Sequence, residues 1–284
     1  MKNNNGEIAQ DCGFLSTLSC CLCRPNKVML RPCCFIPFPK CSILSLDDFF
    51  NKTFKELSDL RPFNKDAIDC KFKCNLKPVD TLEINFLYKC NLKCHHCISE
   101  APLNKEDVNI TKNYILKIFD KIINEGYHFN KIHLDGSGEI FIIYKDLKEY
   151  LKKLSKDIVN EIMFATNATL LTEDIIKELC EISESTGVKF SFDISLDGIT
   201  KETFEATRVG ASFEKVINNI KNLRPHFEYM LSFTAKRPNI TDNPHDVISF
   251  FKELGAIYPT IRYDALDENI KQEYMEKYRN LLSC

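Results

Sequence analysis

From residue 81 onward, strand-like runs alternate strictly with amphipathic helical runs, and this restricts the fold more than any other feature of the chain. Thr81–Tyr88, Lys131–Leu134, Glu161–Thr166, Lys189–Leu196, Tyr229–Thr234 and Thr260–Tyr263 read as strands. Between and after them, Thr111–Asn124, Lys145–Leu154, Glu173–Ile182, Ser212–Leu223, Pro244–Leu254 and Asn269–Leu282 read as helices. In the first helix Ile115, Leu116, Ile118, Phe119, Ile122 and Ile123 form the buried side, and Thr172 can cap the third. Strand–helix alternation means parallel strands joined by right-handed crossovers. Six such units that close partly give an α/β fold, an open, TIM-like (β/α)6 barrel. A flat, doubly wound sheet is the alternative, and periodicity does not choose between them. In both, reactive groups sit on the loops at the C-terminal ends of the strands.

Cysteine usage is the second constraint. The chain has 284 residues and 14 cysteines, and all but Cys180 and Cys284 precede residue 98. Disulfide scaffolds are usually much shorter chains, so the count points to metal or redox chemistry in a reducing compartment. With 38 Lys+Arg against 40 Asp+Glu there is no basic excess to attract nucleic acid. Hydrophobic residues at 44% and charged ones at 27% exclude a disordered polymer. The apolar stretch 13–23 is too short to cross a membrane, and the first eleven residues lack the order of a signal peptide, so a cytoplasmic protein without a membrane partner is expected.

The organisation expected is a flexible N-terminus over 1–11, a cysteine-rich region over 12–78 and a strand–helix core over 79–284. Residues 1–78 carry a net charge of +4 and the remainder −6. One helix is expected from Leu46 to Leu60, capped by Ser45 and striped by Phe49, Phe50, Phe54 and Leu57. The rest of the region is irregular, and a metal held by its cysteines could staple it. Cys180, inside an amphipathic helix, reads as core.

The loop after the first strand reads Cys90-Asn-Leu-Lys-Cys94-His-His-Cys97. Three thiolates at this spacing can hold three irons of a [4Fe–4S] cube and leave the fourth open. A zinc site completed by His95 or His96 has the same donors, though a place at the end of the first strand of an alternating domain argues against it.

Further motifs follow in order: Asp135-Gly136-Ser137-Gly138-Glu139 after the second strand, Thr166-Asn167-Ala168-Thr169 after the third, and Ser191-Phe-Asp193-Ile-Ser195-Leu-Asp197-Gly198 with Arg208 after the fourth. Together with the cysteine loop, these resemble the radical S-adenosylmethionine (radical SAM) superfamily over roughly residues 81–266. The resemblance implies a [4Fe–4S] cluster on Cys90, Cys94 and Cys97 whose open iron chelates S-adenosylmethionine. It implies cofactor contacts from His96, Gly136, Ser137, Gly138, Glu139, Asn167, Ser195 and Arg208. The sequence departs from the family's usual pattern at Ser137, Ile140, Ala168 and His96. Residues 191–216 resemble the peptide-modifying branch.

The cysteines of 12–78 resemble a SPASM or twitch extension, placed before the barrel where the family usually has it after. An auxiliary [4Fe–4S] cluster is implied, with ligands among Cys21, Cys23, Cys33, Cys34, Cys70 and Cys74; Cys20 is an alternative to Cys21 and Cys23. A folding zinc site is the other reading of these cysteines. The function implied is reductive cleavage of S-adenosylmethionine to a 5′-deoxyadenosyl radical that abstracts hydrogen, in an oxidative modification of a peptide or protein. A dehydrogenase or epimerase of a sugar or other small metabolite is the alternative. A low-potential donor such as flavodoxin or ferredoxin is implied as electron partner. A non-catalytic, zinc-stabilised binding protein is the reading from another class.

Overall fold

The computed structural model describes residues 17–24, 27–31, 42–60, 79–85, 89–94, 97, 108–135, 138–263, 269–270 and 272–273. All six expected strands are present, as β4 (Thr81–Asn85), β5 (Phe129–Leu134), β6 (Val159–Thr166), β7 (Lys189–Ser195), β8 (Glu228–Ala235) and β9 (Pro259–Tyr263). They pair in parallel and in chain order. That order decides between the two architectures. A doubly wound sheet reverses its strand order at a switch point, whereas winding in one direction keeps it sequential. The crossover helices are α3 (Val108–Glu125), α4 (Tyr144–Leu151), α5 (Glu173–Thr186), α7 (Phe213–Leu223) and α8 (Pro244–Leu254). The expected last helix begins at Asn269, but most of it lies outside the described residues.

Side chains alternate across each strand, so one sheet face meets the helices and the other does not. Leu82, Ile132, Ile162, Phe164, Phe192, Leu231 and Phe233 are buried on the helix face. Rings of Phe164 and Phe192 stack there at 5.5 Å. The opposite face is polar. Across it Ser191 Oγ donates to Glu161, Lys131 pairs with Glu161 at 3.1 Å, and Ser232 Oγ donates to Asp193. The sheet therefore builds its core on one side and presents a polar face on the other.

Three further strands extend the sheet. β1 (Thr17–Arg24) runs parallel to β4, in the register Cys20↔Ile84 and Cys21↔Asn85. β2 (Lys27–Arg31) and β3 (Ser42–Ser45) follow antiparallel, giving the order β3-β2-β1-β4-β5-β6-β7-β8-β9. Leu18, Cys20, Val28 and Leu30 are fully buried and join the same core as Leu82 and Ile84. Of the expected auxiliary-cluster ligands, only Cys21 and Cys23 lie on described backbone; Cys33, Cys34, Cys70 and Cys74 lie outside the described residues, as do His96, Gly136 and Ser137.

The single helix expected over 46–60 is two, α1 (Leu46–Asn51) and α2 (Phe54–Asp59). Ser45 caps α1 as expected, accepting from Asp48 N at 3.0 Å. The break falls at Thr53, which forms a capping box with Glu56 and so starts a new helix. Phe54 then packs edge-on against Phe129 at 5.0 Å. Thr172 caps α5, as expected, and Gly187 ends it at φ 71°. The short helix α6 (Lys201–Thr207), started by a Thr200 cap, has no counterpart in the sequence reading. Its approach leaves no room at Gly198, where a Cβ would sit 2.4 Å from Phe204 N. Backbone cannot yield as a side-chain end can. Gly198→Ala should cost about 3 kcal/mol or more, read as a lower midpoint in a urea titration.

Candidate active site

The cysteine loop leaves β4 at the C-terminal edge of the sheet and is tied to three neighbouring strand ends. Glu139 N donates to Lys89 O at 2.8 Å, and Lys93 N donates to Val209 O at 2.9 Å. Asn91 Nδ2 donates to Thr169 Oγ1 at 2.7 Å. Within the loop Cys97 N donates to Cys94 O at 3.1 Å, and Leu92 is buried beneath. Described residues of the motifs after the second, third and fourth strands thus meet the cysteine loop or lie beside it.

Cys90, Cys94 and Cys97 are half-buried and form no disulfide. Burial pushes the Cys94 thiol up to about 11, with Arg208 opposing and Cys90 and Cys97 adding to the rise. Burial also raises Cys90, against the Leu92 N–H that donates to its sulfur at 3.4 Å. Among the described residues no three His, Cys, Asp or Glu side chains form a finished metal cage. The donor set nonetheless fits an iron–sulfur cluster. Three soft sulfurs share one loop, within electrostatic reach of one another and of a cation, and N–H donors face a sulfur.

Glu139 is 1% exposed. Its Oε1 accepts from Thr166 Oγ1 at 2.7 Å and Phe141 N at 3.2 Å, and its Oε2 accepts from Asn167 N at 2.7 Å. Burial raises its pKa, and these bonds oppose the rise. The carboxylate therefore locks the second strand's loop to the third's. Asn167 is buried; its Oδ1 accepts from Thr169 N and Thr169 Oγ1 at 3.0 and 2.6 Å. Ala168 takes φ 57°, a left-handed conformation uncommon without glycine, and Asn219 Nδ2 holds its carbonyl at 2.8 Å. The turn tolerates alanine because that contact fixes it.

Arg208 meets a partner that the sequence reading left without a role. Its Nε and Nη2 donate to Asp197 Oδ2 at 2.8 and 2.7 Å. Asp197 is 0% exposed and its Oδ1 accepts from Thr234 N at 2.7 Å. Burial would lower the Arg208 pKa, but Asp197 outweighs it, so the guanidinium stays charged beside Cys94 and Cys90. Asp197 precedes α6 and Arg208 is its C-cap, so no single element sets their spacing and only the folded segment reveals the pair. Ser195 ends β7 on the polar face, half-buried.

Below this rim His133 shares the polar face with Asp193. Its Nε2 is buried without a hydrogen-bond partner. Burial lowers its pKa, with Asp135 and Asp193 opposing, so the ring is neutral at pH 7. Arg262 Nη2 lies 4.0 Å from Asp193 Oδ2.

The sequence model of the radical SAM superfamily matches residues 84–251. The chain belongs to the radical SAM superfamily. Members of this family use a [4Fe–4S] cluster together with S-adenosylmethionine. The chain is 28% identical over 203 residues to a probable GTP 3′,8-cyclase of Methanocaldococcus jannaschii, covering 70% of this chain and 63% of that one. It is 27% identical over 190 residues to an AdoMet-dependent heme synthase of Methanosarcina barkeri, covering 64% and 51%. Among solved structures, Streptococcus suis SuiB bound to its precursor peptide SuiA aligns at a TM-score of 0.48 and 15% identity, over 66% of this chain and 39% of that one. The chain thus spans less than two thirds of the length of these relatives. No helix among the described residues is long and apolar enough to cross a membrane.

Proposed function

We propose that this chain is a radical SAM enzyme whose cluster is held by Cys90, Cys94 and Cys97. One observation carries the reading: the cysteine loop, Glu139, Asn167 and Arg208 come from four strand ends and meet at one edge of the sheet. When bound, the cluster and S-adenosylmethionine supply the one-electron cleavage chemistry of the family. The chain's own part is positional. Arg208, gripped through Nε and Nη2, keeps Nη1 for the methionyl carboxylate. Gly138 with Gly136 and Ser137, Ser195 and His96 complete the cofactor's surroundings in this reading. The rigid links among Glu139, Thr166 and Asn167 hold that surface without reorganisation during turnover.

The test is release of 5′-deoxyadenosine. Anaerobically reconstituted protein, given S-adenosylmethionine and dithionite, is expected to release it. Protein with a full iron complement that releases none, with or without candidate substrates, would overturn the reading. Bound zinc in place of iron would favour a zinc-stabilised binding protein.

For the substrate we favour a peptide or protein, modified oxidatively, because residues 191–216 resemble the peptide-modifying branch. A small metabolite is the second reading, favoured by the relatives named as a GTP cyclase and a heme synthase. In either case the polar face is the place for it, and His133 Nε2 is free to bind it. His133→Phe should raise the ratio of 5′-deoxyadenosine to product about tenfold, the kinetic worth of one ~1.4 kcal/mol hydrogen bond. An unchanged ratio would remove His133 from the substrate site.

An auxiliary cluster on the cysteines of 12–78, and a flavodoxin or ferredoxin as electron donor, belong to the same proposal. Its support is the register of β1, which sets Cys21 beside Asn85, just before the cysteine loop. A Cys70→Ala/Cys74→Ala variant should lose about half of its iron, one of two four-iron clusters, and lose product while still cleaving S-adenosylmethionine. Full iron and unchanged product would refute the auxiliary cluster.

A further inference from the structure

We propose that Asn167 sets the reduction potential of the cluster by donating an N–H hydrogen bond to the Cys90 sulfur; the inference rests on the ligand set proposed above. Asn167 Nδ2 lies 3.7 Å from Cys90 Sγ and 3.0 Å from Asn91 Oδ1. The amide has two N–H groups, one for each acceptor. Its direction is fixed from the other end, where Oδ1 takes both Thr169 N and Thr169 Oγ1. Its backbone is fixed as well, by Asn167 N to Glu139 Oε2 and by the hold of Asn219 on Ala168 O. A side chain 5% exposed and anchored at three points cannot swing its amide elsewhere. Leu92 N supplies a second donor to the same sulfur at 3.4 Å. Among the described residues, no such donor reaches the sulfur of Cys94 or Cys97.

The physical consequence is one of charge. Reduction adds one electron to the cluster and makes its ligand sulfurs more negative. Partial positive charge on two N–H groups stabilises the reduced form more than the oxidised form, so the potential rises. Asn167 is therefore a positioning residue that acts through a cluster ligand.

The experiment is a potentiometric titration of the reconstituted full chain with dithionite, without S-adenosylmethionine, followed by EPR of the reduced cluster. Asn167→Ala should shift the reduced-to-oxidised ratio at a fixed potential about tenfold towards oxidised, a lower midpoint by ~59 mV for one electron. Asn91→Ala removes an acceptor oxygen beside the same sulfur and should leave the midpoint unchanged or higher. A midpoint in Asn167→Ala equal to that of the native chain overturns the proposal. So does an equal fall in Asn91→Ala, which would mean general loosening of the loop. If Asn167→Ala takes up no cluster, pulsed EPR of the Asn91→Ala chain carrying 15N-asparagine decides: a 15N coupling there supports the bond, and its absence overturns it. A native chain that assembles no cluster refutes the proposed function instead, which keeps the two failures distinct.

Discussion

Cys94→Ala is expected to abolish release of 5′-deoxyadenosine, down to the background of cluster-free protein. With three thiolates proposed for four irons none is in reserve, and removing one would strip an iron of its only protein ligand. Ordinary enzyme variants lose part of their rate; this one loses the group that performs the chemistry. The fold should survive. Cys94 is half-buried on a loop, and the hydrogen bond that it makes there is through its backbone carbonyl, to Cys97 N. A stability change within about 1 kcal/mol is expected. The checks are iron content, the thermal melt and mass-spectrometric assay of the product on one preparation. Retained cleavage in a folded variant would remove Cys94 from the ligand set.

The second large effect is on stability. Asp197→Ala leaves the Arg208 guanidinium charged, 13% exposed and without its carboxylate, and leaves Thr234 N–H without its acceptor. Breaking a buried pair from one side costs about 3–5 kcal/mol, because the remaining charge is uncompensated. For a domain of this size that corresponds to a fall in Tm of ~10 °C. Asp197→Asn keeps an acceptor for Thr234 N and should cost less. A paired Asp197→Leu/Arg208→Met change removes both charges and should regain part of the lost stability, while binding S-adenosylmethionine no better than the single variant. If Asp197→Ala melts within 2 °C of the native chain, the pair is not the brace that its burial implies.

The barrel strands are legible in the sequence because each combines a buried apolar row with flanking turn residues, and β5 to β9 lie within two residues of expectation. The three strands before residue 46 are harder to see. Their period is present in Leu18 and Cys20 and in Val28 and Leu30, but cysteine there reads as metal ligand before it reads as core. At the site, the cysteine spacing and the order of the motifs are local properties of the chain, and they carry over. The Glu139 bridge to Thr166 and the amide of Asn167 at Cys90 depend on how loops from separate strands meet, and the Asp197–Arg208 pair depends on how the segment after β7 folds back through α6. No local pattern encodes those meetings. The helix break at Thr53 lies between these cases: the Thr53-x-x-Glu56 capping box is visible, but the apolar stripe runs straight through it.

The pairing of β1 with β4 also sets a timetable. Thr17 waits for Thr81, about 60 residues later, or roughly 3–12 s of synthesis at ~5–20 residues per second. During that interval β1 and β2 can pair with each other, but the side of β1 that will receive β4 stays open to solvent. Cys20, later sealed in the core, and Cys21 and Cys23 on the same strand, emerge from the ribosome before the loop of Cys90, Cys94 and Cys97 has been made. A nascent chain that meets oxidant or the wrong metal in those seconds is challenged at Cys12 and then at β1, so successful maturation depends on the cell's thiol chemistry before it depends on the supply of iron.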